Sequence, residues 1–535
     1  MAYNGSVDTI PLGVGGLHTD DPQPLIPRTN LILARNVTLR QGLIEKEPGS
    51  RRYNQSSLGS PIRALYDWWP ASFKQRLIAV TAAGAVYCIR QPNLLPGSPI
   101  VESVDGSEVL KPTKQTHIIT GGEELEGRLK KLFILTGQDP IQVISSDNLT
   151  ERREITGPAV DWDGTDQPSF MIPIRCRMLA LGNRNNPHRI YISDDADHEN
   201  FASNGAQYSV YPGEGERLFS AFTYKSRVFL LKYPSGAYYV DDTNPDPSAW
   251  GIYKVSDSFG AAAAHAALET LDDTLISNAT GSVSSVASSQ NFGDITAGNI
   301  LMSLRNESYM RSTTSQAGNL DRWALYYDDR KQALFTYRGA GSLVNNRLLC
   351  IDISTGNARV TWSDKDQMSC LAKRKDITGI QRPMYGAEDG YIYLMEQVDR
   401  QVHTTAYRAE FQTPHLDFGD TGGMVVSEAN KIFQHLEVVF EPTGRWNVYV
   451  EVWIDGIYSE TIPFKVSWGP VLDDFLLDRG KLSGRIPRSI RKPLHGTGRR
   501  ISLKVYNEGL KENFKLTALR VYWKPSGQQQ RGAEK

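Results

Sequence analysis

The chain has 535 residues, of which 40% are apolar, 10% aromatic and 22% charged, so it is globular and long enough for two or three domains. Its 59 basic and 60 acidic residues give a net charge of −1, which excludes attraction to nucleic acid or membranes by bulk charge. The sequence shows no signal-like amino terminus and no uninterrupted apolar run of about eighteen residues. It therefore predicts neither an export signal nor a membrane span.

The four cysteines are far apart in the sequence, and three of them sit in apolar, strand-like runs: Cys88, Cys176, Cys350 and Cys370. This distribution predicts free, buried thiols rather than disulfides or zinc ligands. It fits a protein made in a reducing cytoplasm.

In chain order, residues 1–61 are expected to form an N-terminal arm and the leading strands. The sequence Gly13-Val-Gly-Gly16 follows no strand, so it is not a dinucleotide-binding loop, and its composition predicts a flexible arm.

Residues 62–400 repeat one element, an apolar strand, a glycine turn and a second strand with Tyr or Val. The clearest copy runs from Arg177 to Phe201. Successive turn glycines are 53, 45, 54 and 45 residues apart, at Gly84, Gly137, Gly182, Gly236 and Gly281. Blades of β-propellers repeat at about 40 to 50 residues. We therefore predict an all-β fold with a propeller of six or seven blades over residues 62–400.

The repeat is interrupted after Gly281, because the next turn glycines are Gly356 and Gly390, 75 and then 34 residues further on. The excess falls in residues 293–311, which have apolar residues at helical spacing: Ile295, Ile300, Leu301 and Leu304. We expect one inserted helix there.

Longer alternating strands with Pro-Thr-Gly, Asp-Gly and Asn-Glu-Gly turns follow. They predict a C-terminal β-sandwich over residues 401–525. Residues 526–535 are polar and Gln-rich and are expected to form a flexible tail.

Two acidic segments are candidates for chemistry. Asp161, Asp163 and Asp166 have the spacing of calcium ligands, but Ile172 stands where an EF-hand needs glutamate, so a solvated loop is favoured. The second segment is Asp194, Asp195, Asp197, His198 and Glu199, which in principle supplies a cation site or an acid and a base for glycoside cleavage. An Asx-type turn with Phe201 in the core is favoured, because no second acidic cluster opposes this one in the sequence.

Nucleophile, phosphate-loop and metal motifs are missing, which predicts neither an enzyme nor a cofactor. His265 lies among alanines, a setting that predicts packing or an interface rather than a ligand.

Residues 479–504 contain nine basic residues and no acidic one. We expect contact with a partner or with DNA at six of them: Arg485, Arg488, Arg491, Lys492, Arg499 and Arg500. The stretch has no aromatic residue, which disfavours base stacking of the kind used to bind single strands. Docking to an acidic neighbouring subunit is favoured, with phosphate contact and a solvated loop as alternatives.

Several motifs, in order along the chain, resemble the tail nozzle proteins of short-tailed bacteriophages, also called tail tubular or DNA-stabilising proteins. They are Ala34-Arg-Asn36-Val37, Gly42-Leu-Ile44, Glu47-Pro48-Gly49, Ser193-Asp194 to Asn200-Phe201, Phe259-Gly260 to Ser285, the Leu349 to Ile353 strand with Trp362-Ser363, and Thr413 to Gly419. The chain is smaller than the larger members of that family, so the accessory domains that bind fibres there are expected to be absent.

The resemblance implies a structural virion protein that assembles as a ring of six subunits, forms the distal tube of the tail, retains the genome and guides DNA out during infection. It implies a tail adaptor or portal-side ring, fibre, spike or needle proteins and the genomic DNA as partners. The implied location is the virion tail, after synthesis in the host cytoplasm.

Two alternatives remain: a propeller glycosidase or lyase acting on host surface polysaccharide through Asp194 to Glu199, and a general propeller interaction module. The missing signal peptide counts against the first, and the missing WD or kelch consensus counts against the second.

Overall fold

The computed structural model of the chain describes residues 6–526 with internal gaps at 41, 72–73, 91–98, 107, 122–129, 156, 159–160, 203–205, 214, 258, 288–304, 316–319, 355–357, 376–378, 419, 422–423, 426–428, 445 and 467–487. Strands dominate the described residues, which confirms the predicted all-β fold.

Five short strands open the chain: β1 (Ser6–Pro11), β2 (Leu33–Arg35), β3 (Val37–Arg40), β4 (Leu43–Lys46) and β5 (Gly49–Arg52). Strands β3 and β4 pair as a hairpin whose turn contains Gly42 with a φ of 78°, a conformation that glycine adopts without a steric penalty. The other three strands pair with distant parts of the chain, as described below.

Seven antiparallel sheets follow one another between residues 62 and 397 of the described chain. Sheets 1 to 3 consist of β6 (Ile62–Ala71), β7 (Lys74–Thr81), β8 (Val86–Arg90) and β9 (Ile100–Val104); β10 (His117–Gly121), β11 (Lys131–Leu135), β12 (Gln142–Ser145) and β13 (Asn148–Glu154); and β14 (Phe170–Ile174), β15 (Arg177–Leu181), β16 (Arg189–Ile192) and β17 (Ala206–Ser209).

Sheets 4 and 5 consist of β18 (Arg217–Tyr224), β19 (Arg227–Tyr233), β20 (Ala237–Asp241) and β21 (Gly251–Ser256), and of β22 (Ala267–Glu269), β23 (Thr274–Ser277) and β24 (Val283–Ser285). Sheets 6 and 7 consist of β25 (Ala324–Tyr327), β26 (Gln332–Arg338), β27 (Asn345–Asp352) and β28 (Arg359–Ser363), and of β29 (Cys370–Lys375), β30 (Gln381–Gly386) and β31 (Ile392–Gln397).

These sheets form a closed ring. The first strand of each sheet contacts the first strand of the next, and β29 of sheet 7 contacts β6 of sheet 1. The fourth strand of sheet 7 is β5, which pairs with β31 through Arg52↔Tyr393 and Arg51↔Leu394. A strand from the start of the chain therefore completes the last sheet and covers its open edge.

The repeat predicted from glycine turns is confirmed. Six of the turn glycines separate the second and third strands of their sheets, and each has a positive φ: Gly84, Gly137, Gly182, Gly236, Gly281 and Gly390. Gly356 lies outside the described residues. The sequence pattern was readable because a left-handed turn between two buried strands favours glycine.

A helix, α1 (Glu307–Thr313), lies at the end of the segment in which an insertion was predicted. Asp20 accepts hydrogen bonds from the N–H groups of Glu307 and Ser308, so the N-terminal segment caps this helix. The apolar stripe Ile295, Ile300, Leu301 and Leu304 lies outside the described residues. Short 3₁₀ turns occur at Gln23–Leu25, Pro247–Ala249 and Asp328–Arg330.

The C-terminal body contains β32 (Ala409–Gln412), β33 (Asp420–Thr421), β34 (Met424–Val425), β35 (Lys431–Phe440), β36 (Trp446–Ile454), β37 (Ile457–Val466), β38 (Arg488–Gly498), β39 (Ile501–Asn507) and β40 (Lys515–Pro525). One sheet has the order β3-β4-β40-β35-β38, with β1 also paired to β40. The other runs β2-β32-β39-β36-β37 and continues into sheet 6, because β2 also pairs with β28.

The ring and the C-terminal body share one apolar core. This core includes Ile10 of β1, Phe335 of sheet 6, and Val505 and Trp523 of the C-terminal strands, each no more than 2% exposed. Burying a side chain of this size stabilises the fold by about 1.5–3 kcal/mol. The boundaries at residues 61 and 400 therefore mark no break in either the sheets or the core.

The glycine-rich segment near the N-terminus packs against sheet 6, so the prediction of a flexible arm is wrong. Arg359 donates a hydrogen bond to the Gly13 carbonyl at 2.8 Å, and Leu17 N–H donates to Val360 at 3.0 Å. A Cβ atom on Gly16 would lie 2.7 Å from the Val360 nitrogen. The glycines thus permit close packing of this segment against sheet 6.

Candidate functional site

Most of the described part of the basic stretch lies on strands rather than in a solvated loop. Arg488, Arg491 and Lys492 lie on β38, which forms an edge of its sheet and pairs with β35. Alternation along β38 leaves Arg491 exposed and Lys492 on the opposite face, half-buried. Arg485 lies outside the described residues. The pattern of charges alone did not indicate this division between two faces.

The Arg491 side chain contacts one aromatic and one imidazole side chain on the outer face of the sheet. Its guanidinium lies 3.7 Å from the centre of the Tyr522 ring, and its Nη2 is 3.2 Å from Nδ1 of His435. Glu437 lies opposite Arg491 in the strand register. Burial raises the pKa of Glu437, but hydrogen bonds from Tyr522 and other neighbours outweigh it and leave the pKa lowered. A carboxylate from another strand thus partly balances the basic stretch.

The remaining basic residues lie elsewhere on the body. Lys492 Nζ donates to the Pro463 carbonyl on β37. Arg499 and Arg500 lie at the turn between β38 and β39, where their backbone N–H groups donate to the Asp455 carboxylate at 2.9–3.1 Å. The structure therefore brings Arg499 and Arg500 together at one turn, but it does not gather all the predicted residues into one cluster.

At one end of the circle of sheets, stacked aromatic and imidazole side chains from four sheets fill the central axis. His265 stacks on Trp323 at 3.7 Å and on His117 at 5.2 Å, and His117 stacks on Phe170 at 4.1 Å. His265 Nε2 donates to the Thr116 carbonyl, and His117 Nε2 donates to the Met171 carbonyl. Each ring residue lies at or just before the start of its sheet's first strand.

Burial lowers the pKa of His117 to about 3 and that of His265 to about 4, so both imidazoles are neutral at pH 7. This agrees with the prediction that His265 has a packing role. The sequence pattern did not single out the other three rings. Their only sequence signal was an aromatic residue at the start of a repeat.

The acidic segment after β16 forms the predicted turn. Asp194 N–H donates to the Asn200 carbonyl, Asn200 Nδ2 donates to the Asp194 carboxylate, and Phe201 is 2% exposed. Glu199 forms ion pairs with Lys131 and Arg153 of sheet 2. Burial raises the pKa of Glu199, but these two cations outweigh it and leave the pKa lowered.

The first acidic segment is only in part the solvated loop that its composition predicts, because Asp163 is exposed but the other two aspartates are buried. Asp161 and Asp166 are 7% and 5% exposed. Asp161 accepts two hydrogen bonds from Arg189 at 2.7 and 2.8 Å, and Asp166 accepts from the backbone N–H groups of Arg184 and Asn185. Both carboxylates are satisfied by protein donors and join the start of sheet 3 to its β15–β16 turn.

The cysteine prediction is confirmed for bonding state. All four are free, and burial raises the pKa of Cys88 to about 11 and that of Cys370 to about 12. Cys176 and Cys350 are partly exposed. Among the residues that the structure describes, no group of three His, Cys, Asp or Glu side chains has a metal-binding arrangement. Nor does the described chain contain a helix long and apolar enough to cross a membrane.

No protein-family model and no curated protein matches the chain. Similar solved structures include the computationally designed Ika8 protein, with 10% identity and a TM-score of 0.35 over 65% of this chain and 99% of that one. An exo-β-1,3-galactanase from Phanerochaete chrysosporium has 11% identity and a TM-score of 0.28 over 89% of this chain and 100% of that one. BBS1N in complex with ARL6DN has 8% identity and a TM-score of 0.39 over 65% and 96%. At these values the neighbours assign neither a family nor a function.

Proposed function

We propose that the protein is a structural subunit of a short phage tail, a nozzle component that assembles as a ring of six copies and guides DNA out of the virion. The observation on which this rests is that two of the motifs resembling nozzle proteins are joints of the fold, which means that they link separate parts of the chain. Asn36 is the clearest case. Its side-chain amide donates to the Asp364 carboxylate at 2.8 Å and to the Arg408 carbonyl at 2.7 Å, and its Oδ1 accepts from the Ser363 hydroxyl and from the Asp364 N–H.

The Glu47-Pro48-Gly49 motif is a second joint. Glu47 forms an ion pair at 2.8 Å with Lys365, whose side chain is 1% exposed, and Gly49 begins the strand that closes sheet 7. A Cβ on Gly49 would lie 2.2 Å from the Gln401 carbonyl oxygen. These residues hold the N-terminal segment, the ring and the C-terminal body together, which suits a load-transmitting subunit more than a catalyst.

In this proposal the seven sheets are the blades of a β-propeller, and the two sheets of the C-terminal body form a β-sandwich fused to it. The propeller of a single copy is not the DNA channel, because the stack of His117, Phe170, His265 and Trp323 fills its axis. The lumen instead lies between copies arranged around a common axis.

The basic residues serve the contacts between subunits in this assembly. Arg491 on the outer face, and Arg499 and Arg500 at the β38–β39 turn, meet an acidic neighbour, either another copy or the tail adaptor or portal-side ring. Fibre, spike or needle proteins bind elsewhere on the assembly, and genomic DNA passes along its lumen. The protein reaches the virion tail after synthesis in the host cytoplasm.

A hydrolytic role through the Asp194 to Glu199 turn has less support. A glycosidase needs a carboxylic acid that keeps its proton near neutral pH. Glu199 lies between two cations that lower its pKa.

Imaging of the purified full chain tests the proposal. Electron microscopy and mass photometry at high micromolar concentration should give closed rings of one stoichiometry with a central hole wide enough for duplex DNA. A protein that stays monomeric under these conditions, or that cleaves polysaccharide with a rate lost in the Asp194→Asn, Asp197→Asn, Glu199→Gln variant, would contradict it.

A further inference from the structure

A cavity of about 340 Å³ opens at the end of the ring opposite the histidine stack. The stack lies where the first strands of the sheets begin, whereas the cavity lies where β6, β10 and β14 end. Its walls include Tyr66, Trp68 and Trp69 of β6, Lys130, and Arg175 just beyond β14. Pockets of a few hundred Å³ are the size class of small-ligand sites.

One wall of the cavity is aromatic and fixed in place. Trp69 is 36% exposed, and its indole Nε1 donates to the Asp67 carboxylate at 3.3 Å. The Tyr66 hydroxyl lies 2.9 Å from Oγ1 of Thr120 on the neighbouring first strand. A partly exposed indole whose orientation is already set loses little conformational entropy when a flat ligand stacks on it.

Asp67 positions this wall rather than binding a ligand. Both oxygens of its carboxylate accept from Gln75 Nε2, at 2.8 and 2.9 Å, and one also accepts from Lys375 N–H at 3.2 Å. Burial raises the pKa of Asp67, although the hydrogen bonds from Gln75 and Lys375 oppose the rise. Its acceptor capacity is therefore taken up by protein donors.

The other charged side chains that line the cavity are cations. Trp68 is 1% exposed and belongs to the apolar core, so its indole is not available to a ligand. Lys130 and Arg175 add positive charge. The Arg175 side chain is 42% exposed, although it also pairs with Asp242 at 3.1 Å. The cavity thus combines an aromatic face with cations, and Asp67, the one carboxylate among the described lining residues, is already occupied.

From this combination we propose that the cavity binds a saccharide that carries an acidic group. The apolar C–H face of a pyranose ring stacks on Trp69, and its carboxylate meets the guanidinium of Arg175. Neutral sugars lack a carboxylate for Arg175 and bind more weakly. The site lies within one chain, so it does not depend on ring assembly.

Calorimetric titration of the full chain with glucuronic acid, and with glucose as the matched neutral sugar, tests the site. Glucuronic acid should bind saturably and quench tryptophan fluorescence, and glucose should bind about tenfold more weakly. Trp69→Ala should weaken glucuronic acid binding by about tenfold or more. Arg175→Gln should lower the affinity for glucuronic acid to the affinity for glucose.

Tyr253→Ala is the control variant, because Tyr253 is an exposed aromatic residue, 49% accessible, on sheet 4. It should leave binding unchanged. Trp69→Phe retains a stacking face and should keep most of the affinity, which separates loss of the site from loss of the fold. The proposal is wrong if the wild-type chain shows no saturable binding, if Arg175→Gln leaves the preference for the acidic sugar intact, or if Tyr253→Ala weakens binding as much as Trp69→Ala.

Discussion

Asn36 shows how one residue joins three parts of the chain. It is 1% exposed, has a φ of 54°, and its side chain makes four hydrogen bonds to residues of the ring and the C-terminal body. Asparagine tolerates the left-handed region better than most residues. The sequence contained Asn36 within a motif, but nothing local indicated its partners more than 320 positions away.

We expect Asn36→Ala to lower the free energy of unfolding by about 2–4 kcal/mol, because it strands buried donors and acceptors and places alanine at a positive φ. Asn36→Gly should recover the part of this loss in unfolding free energy that is due to backbone strain. Urea unfolding of the two variants measures both contributions. If alanine and glycine both cost less than about 0.5 kcal/mol, Asn36 is not the joint described here.

The neutral histidines on the ring axis make stability depend on pH. An unfolded histidine binds a proton below about pH 6.5, whereas folded His265 does so only near pH 4. The unfolded state therefore binds more protons in this window, and stability is lost as the pH falls through it. The loss is on the order of 1.4 kcal/mol per pH unit for each such histidine.

His265→Gln removes one of these groups and should give a shallower decline of unfolding free energy between about pH 6 and pH 4 than the wild-type chain shows. Chemical unfolding at a series of pH values measures both slopes. Parallel curves would mean that His265 has the same pKa in the folded and unfolded states and that the stack is not closed to solvent.

At the scale of elements, β38 places its charges on two faces. The cation–π contact between Arg491 and Tyr522 is worth about 0.5–1 kcal/mol at an exposed site, and surface ion pairs contribute similarly little. The basic residues of this strand thus have a small effect on the stability of the single chain.

We predict that changing Arg488, Arg491 and Lys492 together to Gln lowers the unfolding free energy of the single chain by no more than about 2 kcal/mol. The same change should weaken the assembly of copies into a ring and should make that assembly less sensitive to salt. Thermal melting and particle mass at several salt concentrations give the two readouts. The control removes three exposed charges elsewhere, Arg51, Lys225 and Arg227. An equal effect of the control on assembly, or unchanged assembly in the β38 variant, would argue against an interface at this strand.

At the scale of the whole molecule, the two ends of the chain are woven together. Strand β1 pairs with β40 from Ser6↔Trp523 to Pro11↔Ala518, and β5 completes sheet 7. Each of these pairings covers a strand edge that would otherwise be open to aggregation.

Deleting residues 1–53 should therefore leave an insoluble or non-cooperatively folding chain, whereas deleting residues 527–535 should not change the melting temperature. Solubility and the sharpness of thermal unfolding distinguish the two truncated chains. A soluble, cooperatively folded chain lacking residues 1–53 would show that the ring closes without β5.

The sequence by itself determined the strands and their turns, because alternation of apolar residues and the need for glycine at a positive φ are local properties. Gly84 and Gly182 marked their turns correctly for that reason. Tertiary structure alone decided the rest, because pairing between distant strands depends on the whole topology. It placed β5 beside β31, buried Asp161 against Arg189, divided the basic residues between faces, and brought His117, Phe170, His265 and Trp323 to one end of the ring axis, with Trp68 and Trp69 at the other.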